Sequence, residues 1–141
     1  MKLLTKHTDY AIRALLGLAK DKDKLLSARE ISKQQHIPYQ FLRQILQKLI
    51  KSKLVISKEG AGGGFRINND PDLMSIVDII AIFQGNIQLS DCMFRNKLCV
   101  NRSSCVLRKQ INRVEKLVTK EFEAITIGRL LKDLRKQIRR L

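Results

Sequence analysis

The sequence predicts a mainly α-helical protein with one small β-hairpin and a long helix near its C-terminus. Apolar residues recur at helical spacing through most of the chain, and a glycine-rich turn joins two short stretches of β-forming residues. At 141 residues, the chain suits one compact domain with an appendage. We expect an N-terminal domain at 1–85, a loop at 86–104 and C-terminal helices at 105–141.

Composition restricts the function classes. No apolar run approaches the ~18 residues that a membrane span needs, and the N-terminus lacks the apolar segment of a signal peptide. We therefore expect a cytoplasmic protein that does not contact membranes. The net charge of +15 favours a polyanionic partner, with nucleic acid as the default, although a heavily charged surface alone would give the same composition.

The first predicted helix covers residues 5–20, and its apolar face consists of Leu4, Ala11, Leu15 and Leu18. A polar link at 21–24 follows. Ser27 and Glu30 have the spacing of a capping box, in which each side chain accepts a hydrogen bond from the other residue's backbone amide. They predict a second, short helix that turns Ala28 and Ile31 inward.

The third predicted helix covers residues 38–52. Proline disfavours a helical residue before it and suits the first position of a new helix, so Pro38 is expected to begin this one. Its polar face carries hydrogen-bonding side chains with few acids: Tyr39, Gln40, Arg43, Gln44, Gln47 and Lys48. That face suits a helix in the major groove of DNA, although two short helices joined by a tight turn occur in many helical domains.

A predicted β-hairpin follows, with strands at 54–57 and 65–67 around a turn at 60–64 that holds four glycines. Glycines let the backbone approach another surface closely. An ordinary flexible hairpin is the simpler interpretation, and a nucleotide-binding loop is poorly supported because no Lys-Ser/Thr follows the glycines. After a basic third helix, the hairpin indicates a winged helix-turn-helix whose DNA-binding residues would be Tyr39, Gln40, Arg43, Gln44, Lys48, Lys58, Gly63, Gly64 and Arg66.

The chain then carries three cysteines in a segment without helical or strand periodicity. Ser75 predicts the start of a helix that stops at Gly85, and Cys92, Cys99 and Cys105 follow with the spacing C-x6-C-x5-C. This is not the CxxC pair of a structural zinc site. Nearby cations favour thiolates, which suits a metal centre. Three free cysteines, or a thiol switch without metal, remain the alternatives.

The long predicted helix covers residues 104–125 and carries a narrow apolar seam. The seam and its flank supply the residues that we expect at a dimer interface: Leu107, Ile111, Val114, Val118, Phe122 and Ile125. Packing against its own domain is the alternative. Thr126 is expected to cap a last amphipathic helix with a basic tail. The two histidines and the lack of a nucleophile–base pair or acid pair argue against an enzyme with a small-molecule substrate.

Several motifs together resemble one known family. The opening stretch from Leu4 to Arg13, the Ile37-Pro38 helix start, the Gly60–Phe65 turn and the three cysteines before a long helix are similar to those of the IscR/NsrR family. These bacterial winged-helix regulators resemble this chain over essentially its full length. The resemblance implies a homodimer joined by the long helix and a double-stranded, palindromic DNA operator, more often bound by a repressor.

The resemblance also implies an iron–sulfur cluster, held by Cys92, Cys99 and Cys105, whose state sets operator affinity. IscR-type members place a histidine three residues after the third cysteine, where this chain has Arg108. NsrR-type members use an aspartate of the other subunit in a Thr-Asp context. Thr8-Asp9-Tyr10 matches that context, so Asp9 is the candidate fourth ligand, although a solvated acid in a first helical turn is the simpler interpretation.

An aspartate ligand goes with a [4Fe–4S] cluster in this family, so that type is preferred to [2Fe–2S]. The signal that the cluster responds to would be a redox change, nitric oxide or iron supply. The sequence leaves two alternative functions. One is a DNA-binding thiol switch without a cluster, and the other is a cluster- or iron-handling protein whose basic charge serves docking.

Overall fold

The computed structural model describes residues 2–90, 100–101 and 103–141. In chain order the elements are α1 (Lys6–Ala19), α2 (Ala28–Gln35), α3 (Tyr39–Lys51), β1 (Val55–Lys58), β2 (Gly64–Ile67), a 3-10 turn (Pro71–Leu73), α4 (Ile76–Gln84), α5 (Val106–Glu123) and α6 (Ile127–Arg139). The two strands form an antiparallel hairpin. The predicted class, mainly helical with one small hairpin, is confirmed.

Helix α1 lies at the centre of the core. It packs against α2, α3, α4, α6 and β2, and Leu15 and Leu18 on its apolar face are fully buried. The prediction was wrong for Leu4, which is 36% exposed. Thr5 caps the helix by accepting a hydrogen bond from the Thr8 amide at 3.3 Å. Leu4 therefore precedes the first turn and does not follow the helical periodicity.

The capping box at the start of α2 forms as predicted. Ser27 Oγ accepts from the Glu30 amide at 3.1 Å, and Glu30 Oε2 accepts from the Ser27 amide at 2.7 Å. The hydrogen bonds from the Ser27 amide and hydroxyl lower the pKa of the Glu30 carboxyl below its usual value. Two orphan amides of the helix start are thereby satisfied.

Helix α3 starts one residue later than predicted. Pro38 is the cap residue, with φ −54° and an extended ψ of 129°, and its carbonyl accepts from the Phe41 and Leu42 amides at 3.0 Å each. The prediction that Pro38 is the first helical residue was therefore wrong. The turn before it contains His36 in the left-handed conformation, with φ 52°. The buried Ile37 side chain anchors this turn in the core.

The hairpin contains an extra pairing that the sequence does not reveal. Its register joins Val55 to Ile67 and Lys58 to Gly64. Leu26 also pairs with Phe65, since each amide donates to the other's carbonyl, at 2.9 and 2.8 Å. The end of the segment between α1 and α2 is therefore extended and ties the hairpin to the helices.

The C-terminal part of the chain returns to the N-terminal domain. The Ile76 amide donates to the Ile125 carbonyl, and the Ile127 amide donates to the Met74 carbonyl, both at 2.9 Å. Helix α6 then buries Ile127 and Leu131 against α1 and the 3-10 turn. Helix α5 is shorter than predicted at both ends and has no fully buried residue.

Candidate nucleic-acid interface

Helix α3 is sharply two-sided. Its buried face contributes Leu42, Ile45, Leu46 and Leu49 to the core. Its opposite face exposes Gln47 and the five α3 residues that we expect to bind DNA: Tyr39, Gln40, Arg43, Gln44 and Lys48. The buried leucines and isoleucine fix the orientation of the helix, so the polar side chains project outward from a rigid element.

A cation from α2 joins this surface. The Arg29 guanidinium lies over the Tyr39 ring, 5.5 Å from its centroid, and the Tyr39 side chain remains exposed. A cation over an aromatic face is attracted by the ring quadrupole. Arg29 was not among the predicted site residues, because no motif in the sequence marks a contact that depends on how two helices pack.

The hairpin lies directly beside α3. A crevice of about 390 Å³ is lined by Tyr39, Arg43 and Gln47 of α3, by Ala28 of α2 and by Phe65 of β2. Lys58 and Arg66, the two charged residues predicted to bind DNA from the hairpin, line a second groove of about 330 Å³. The polar face of α3 and the cationic hairpin therefore adjoin.

Two of the predicted glycines have a structural explanation within the hairpin. Gly64 has φ 151°, and a Cβ atom there would lie 2.6 Å from the Leu26 carbonyl oxygen. A Cβ at Gly63 would collide with the Lys58 carbonyl oxygen. The close approach that glycine permits is thus to the chain's own backbone. Gly60 and Gly62, at the tip, have open space around them.

A cleft of about 320 Å³ lies at another edge of α3. It is lined by Gln44, Ile45 and Lys48 of α3, by Thr5 and His7 at the start of α1, and by Phe83 of α4. Lys48 Nζ lies 5.4 Å from the centroid of the Phe83 ring, and His7 contacts Phe41 edge-to-face. Helix α3 is therefore supported by the beginning of α1 and the end of α4.

One of the three predicted cysteine ligands lies within the described residues. Cys105 is the N-cap of α5, and its Sγ accepts from the Arg108 amide at 3.4 Å. Cys92 and Cys99 lie outside the described residues. Asp9 forms an ion pair with Arg13, with 2.7 Å between Oδ2 and Nη2, and its side chain is 45% exposed. In the described ranges, no three potential metal ligands converge.

The predicted dimer residues fall into three groups. Leu107 and Val114 are exposed apolar side chains, at 66% and 41%, and Val106 and Leu117 extend the exposed patch. Ile111 and Val118 are half-buried. Phe122 and Ile125 instead pack against the core of their own chain. The first turn and the middle of α5 thus carry an apolar surface that the described part of the chain leaves exposed.

Within the described residues, no helix is both long and apolar enough to span a membrane.

Known proteins similar to this chain are regulators. Residues 4–133 match the Rrf2 family, described as an iron-dependent transcriptional regulator. The HTH-type transcriptional regulator IscR of Vibrio vulnificus is 31% identical over 134 residues, which cover 94% of this chain and 79% of that protein. The HTH-type transcriptional regulator NsrR of Shouchella clausii is 28% identical over 130 residues, or 91% of this chain and 87% of that protein.

Among solved structures, CymR of B. subtilis, described as the global cysteine regulator, has a TM-score of 0.79 at 22% identity, with 94% of this chain and 98% of that chain covered. This likeness confirms the winged-helix fold, and the IscR and NsrR relatives confirm the resemblance found in the sequence. The relatives are named as transcriptional regulators and not as enzymes. The chain belongs to the Rrf2 family and is a DNA-binding transcriptional regulator.

Proposed function

We propose that this regulator inserts α3 into the major groove, contacts the adjacent backbone with its hairpin, and changes its operator affinity with the state of an iron–sulfur cluster. The observation that carries the DNA-binding part is the adjacency of three features. These are the acid-free polar face of α3, the crevice that joins it to Phe65 of the hairpin, and the cations beside that hairpin.

Base recognition is assigned to the first two turns of α3. Tyr39, Gln40, Arg43 and Gln44 are exposed there and can donate to or accept from base edges. An arginine can bond guanine through two parallel hydrogen bonds, and a glutamine can pair with adenine in the same way. Arg43 is therefore the leading candidate for sequence discrimination.

Phosphate contacts are assigned to Lys48, Lys58 and Arg66, and we add Arg29. Its guanidinium stacks on Tyr39 and so is held near the start of α3. Stacking leaves the N–H groups of the guanidinium edge available to a phosphate oxygen. Gly63 and Gly64 contribute by shaping the hairpin that presents Lys58.

The cluster is assigned to Cys92, Cys99 and Cys105. Thiolates are the usual protein ligands of iron–sulfur clusters, and the family is described as iron-dependent. A cluster bound there would supply a redox-sensitive charge on the loop. The fourth ligand is assigned to Asp9 of the partner subunit, and [4Fe–4S] is preferred to [2Fe–2S]. Since Asp9 is paired with Arg13 here, ligation requires that carboxylate to leave the guanidinium.

The regulator is proposed to act as a homodimer on a palindromic operator, most simply as a repressor. The exposed apolar residues of α5 support this, because a second copy of the same helix can cover them. Twofold symmetry of the protein then corresponds to twofold symmetry of the operator.

Anaerobic purification tests the cluster. The expected product is coloured and contains iron and acid-labile sulfide, and Cys92→Ser, Cys99→Ser and Cys105→Ser variants lose both. Operator binding by the loaded and the cluster-free protein, measured side by side, is expected to differ. A colourless, iron-free wild-type protein from such a preparation would overturn the cluster and leave a thiol switch. The conservative variants Asp9→Asn and Asp9→Glu test the fourth ligand alone, because they leave the three cysteines in place.

A further inference from the structure

Gln84, the last residue of α4, is fully engaged by the start of α1. Its Oε1 atom accepts from the Thr5 amide at 3.0 Å and from the Thr8 hydroxyl at 2.8 Å. Its Nε2 atom donates to the Leu3 carbonyl at 3.0 Å. One side chain thus satisfies three polar groups of a segment almost eighty positions earlier in the chain.

The bonds around Thr8 form a consistent network. Thr8 is a fully buried polar residue, and its hydroxyl donates to Gln84. The Thr8 oxygen can then accept from the Thr5 hydroxyl at 3.0 Å, while Thr5 Oγ1 accepts from the Thr8 amide. Each hydroxyl proton therefore has one acceptor. A buried hydroxyl that lost its acceptor would destabilise this arrangement, so the network specifies one position for the start of α1.

Both sides of this network touch the recognition helix. Phe83, the residue before Gln84, lies beneath the Lys48 ammonium group. His7, between the two threonines, packs edge-to-face on Phe41 of α3. A displacement of the end of α4 or of the start of α1 therefore reaches α3 through direct contacts.

Gln84 is also the last helical residue before the segment that leads to the cysteines. Gly85 ends α4 with φ 78°. Farther on, the Leu89 amide donates to Glu115 Oε1 of α5 at 2.8 Å. The residues after Gln84 thus run from the Gln84 network toward α5, the helix that begins at Cys105.

We propose that Gln84 is a positioning residue that couples the segment after α4 to the recognition helix through the start of α1. The inference rests on operator binding by α3, and it assigns a role in that binding to a residue that does not face DNA. Glutamine suits the role because it both accepts and donates. Glutamate would lack the donor for the Leu3 carbonyl, and methionine would lack both groups.

The test compares Gln84→Met with wild type in the full-length chain. Gln137→Met is the matched control, because Gln137 is an exposed glutamine of α6. The probe is a duplex selected by the wild-type protein from a random library. We expect Gln84→Met to bind it about tenfold more weakly, a change of about 1.4 kcal/mol in binding free energy, while the control binds like wild type. Circular dichroism verifies that each variant is folded.

A double variant tests whether Gln84 acts through its hydrogen bond to Thr8. Because Thr8 and Gln84 act through one bond, Thr8→Val with Gln84→Met is expected to bind no more weakly than Gln84→Met alone, whereas independent effects would multiply. Amide exchange is expected to quicken in residues 3–8 and in residues 39–48 of the Gln84→Met chain, with or without DNA.

Two results overturn the proposal. One is wild-type operator affinity in a folded Gln84→Met protein, and the other is faster exchange confined to residues 3–8 with α3 unchanged. If the wild-type protein selects no duplex, operator binding by α3 fails instead. In that case the exchange in residues 39–48 still decides whether Gln84 positions the helix.

Discussion

Arg43 is the residue on which sequence discrimination is expected to depend, since it is exposed on α3 beside the crevice that leads to the hairpin. We expect Arg43→Ala to relax the selected sequence at one base pair of each half-site. Loss of a bidentate contact to guanine removes about 1–3 kcal/mol of discrimination. Selection from a random duplex library measures the change.

The Lys58→Ala variant is compared with Arg43→Ala to distinguish a loss of overall DNA affinity from a loss of sequence preference. Lys58 lies at the end of β1 and is expected to meet phosphate, so its loss weakens binding to all sequences without changing the preferred one. Identical sequence preferences for the Arg43→Ala and wild-type proteins would remove Arg43 from the base-reading set.

Gly64 is a hairpin residue at which both backbone strain and a close contact oppose substitution. Its φ is 151°, and the Leu26 carbonyl oxygen lies 2.6 Å from the position that a Cβ atom would take, so alanine is both strained and obstructed. We expect Gly64→Ala to lower the free energy of unfolding by about 2–3 kcal/mol, as strained backbone conformations do. Urea unfolding measures it.

The control for Gly64 is Gly62→Ala. Gly62 has φ 74°, but nothing lies within 4 Å of its Cβ position. Only the backbone penalty of about 1–2 kcal/mol applies there. Equal losses at the two positions would show that contact with Leu26 does not matter.

At the scale of elements, the sequence predicts what local chemistry determines. Ser27, Ser75 and Thr126 each cap the helix expected from their position, because a cap depends on residues within one turn. The pairing of Leu26 with Phe65 and the packing of α6 on α1 depend on residues far apart in the chain. The spacing of apolar residues within one segment does not indicate which distant segment it will pair with or pack against.

Helix α5 carries an apolar patch that is exposed among the described residues, and we expect the dimer to depend on it. We expect Leu107→Asp to weaken the dimer by more than a hundredfold. Twofold symmetry places the change twice in the interface, and each buried leucine contributes about 1.5–3 kcal/mol. Light scattering during gel filtration, over a range of concentrations, measures the dimer.

Leu73→Asp is the matched control for Leu107→Asp. Leu73 lies in the 3-10 turn and is 78% exposed, yet it is not on α5. We expect it to leave the dimer unchanged. A dimer that survives Leu107→Asp with wild-type affinity would assign the apolar patch of α5 to another partner.

At the scale of the whole molecule, the fold was more predictable than the candidate site. The polar face of α3 follows from helical spacing within thirteen residues. The proposed metal centre instead combines Cys105, two cysteines outside the described residues and Asp9 of a second subunit. The spacing of residues within one chain cannot locate a ligand that comes from another chain. In this chain the Asp9 carboxylate contacts Arg13. Only its Thr-Asp context in the sequence indicated a role in ligation.

The net charge of +15 permits a prediction for the dimer on DNA. Binding that neutralises Z phosphates weakens with salt at a log–log slope of about −0.9Z. The four proposed phosphate contacts in two subunits correspond to about eight phosphates and a slope near −7; they are Arg29, Lys48, Lys58 and Arg66. We expect Lys58→Ala with Arg66→Ala to reduce the magnitude of that slope by about 4, since four contacts per dimer are removed.

Lys132→Ala distinguishes this local effect from total charge. Lys132 lies on α6 and forms an ion pair with Asp72 of the 3-10 turn, at 3.6 Å, so it is not part of the α3 and hairpin surface. If the phosphate contacts are local, its removal leaves the salt slope at the wild-type value. If the slope instead falls with every lysine removed, wherever it lies, then the charge of the whole molecule attracts DNA and the hairpin cations have no special position in the complex.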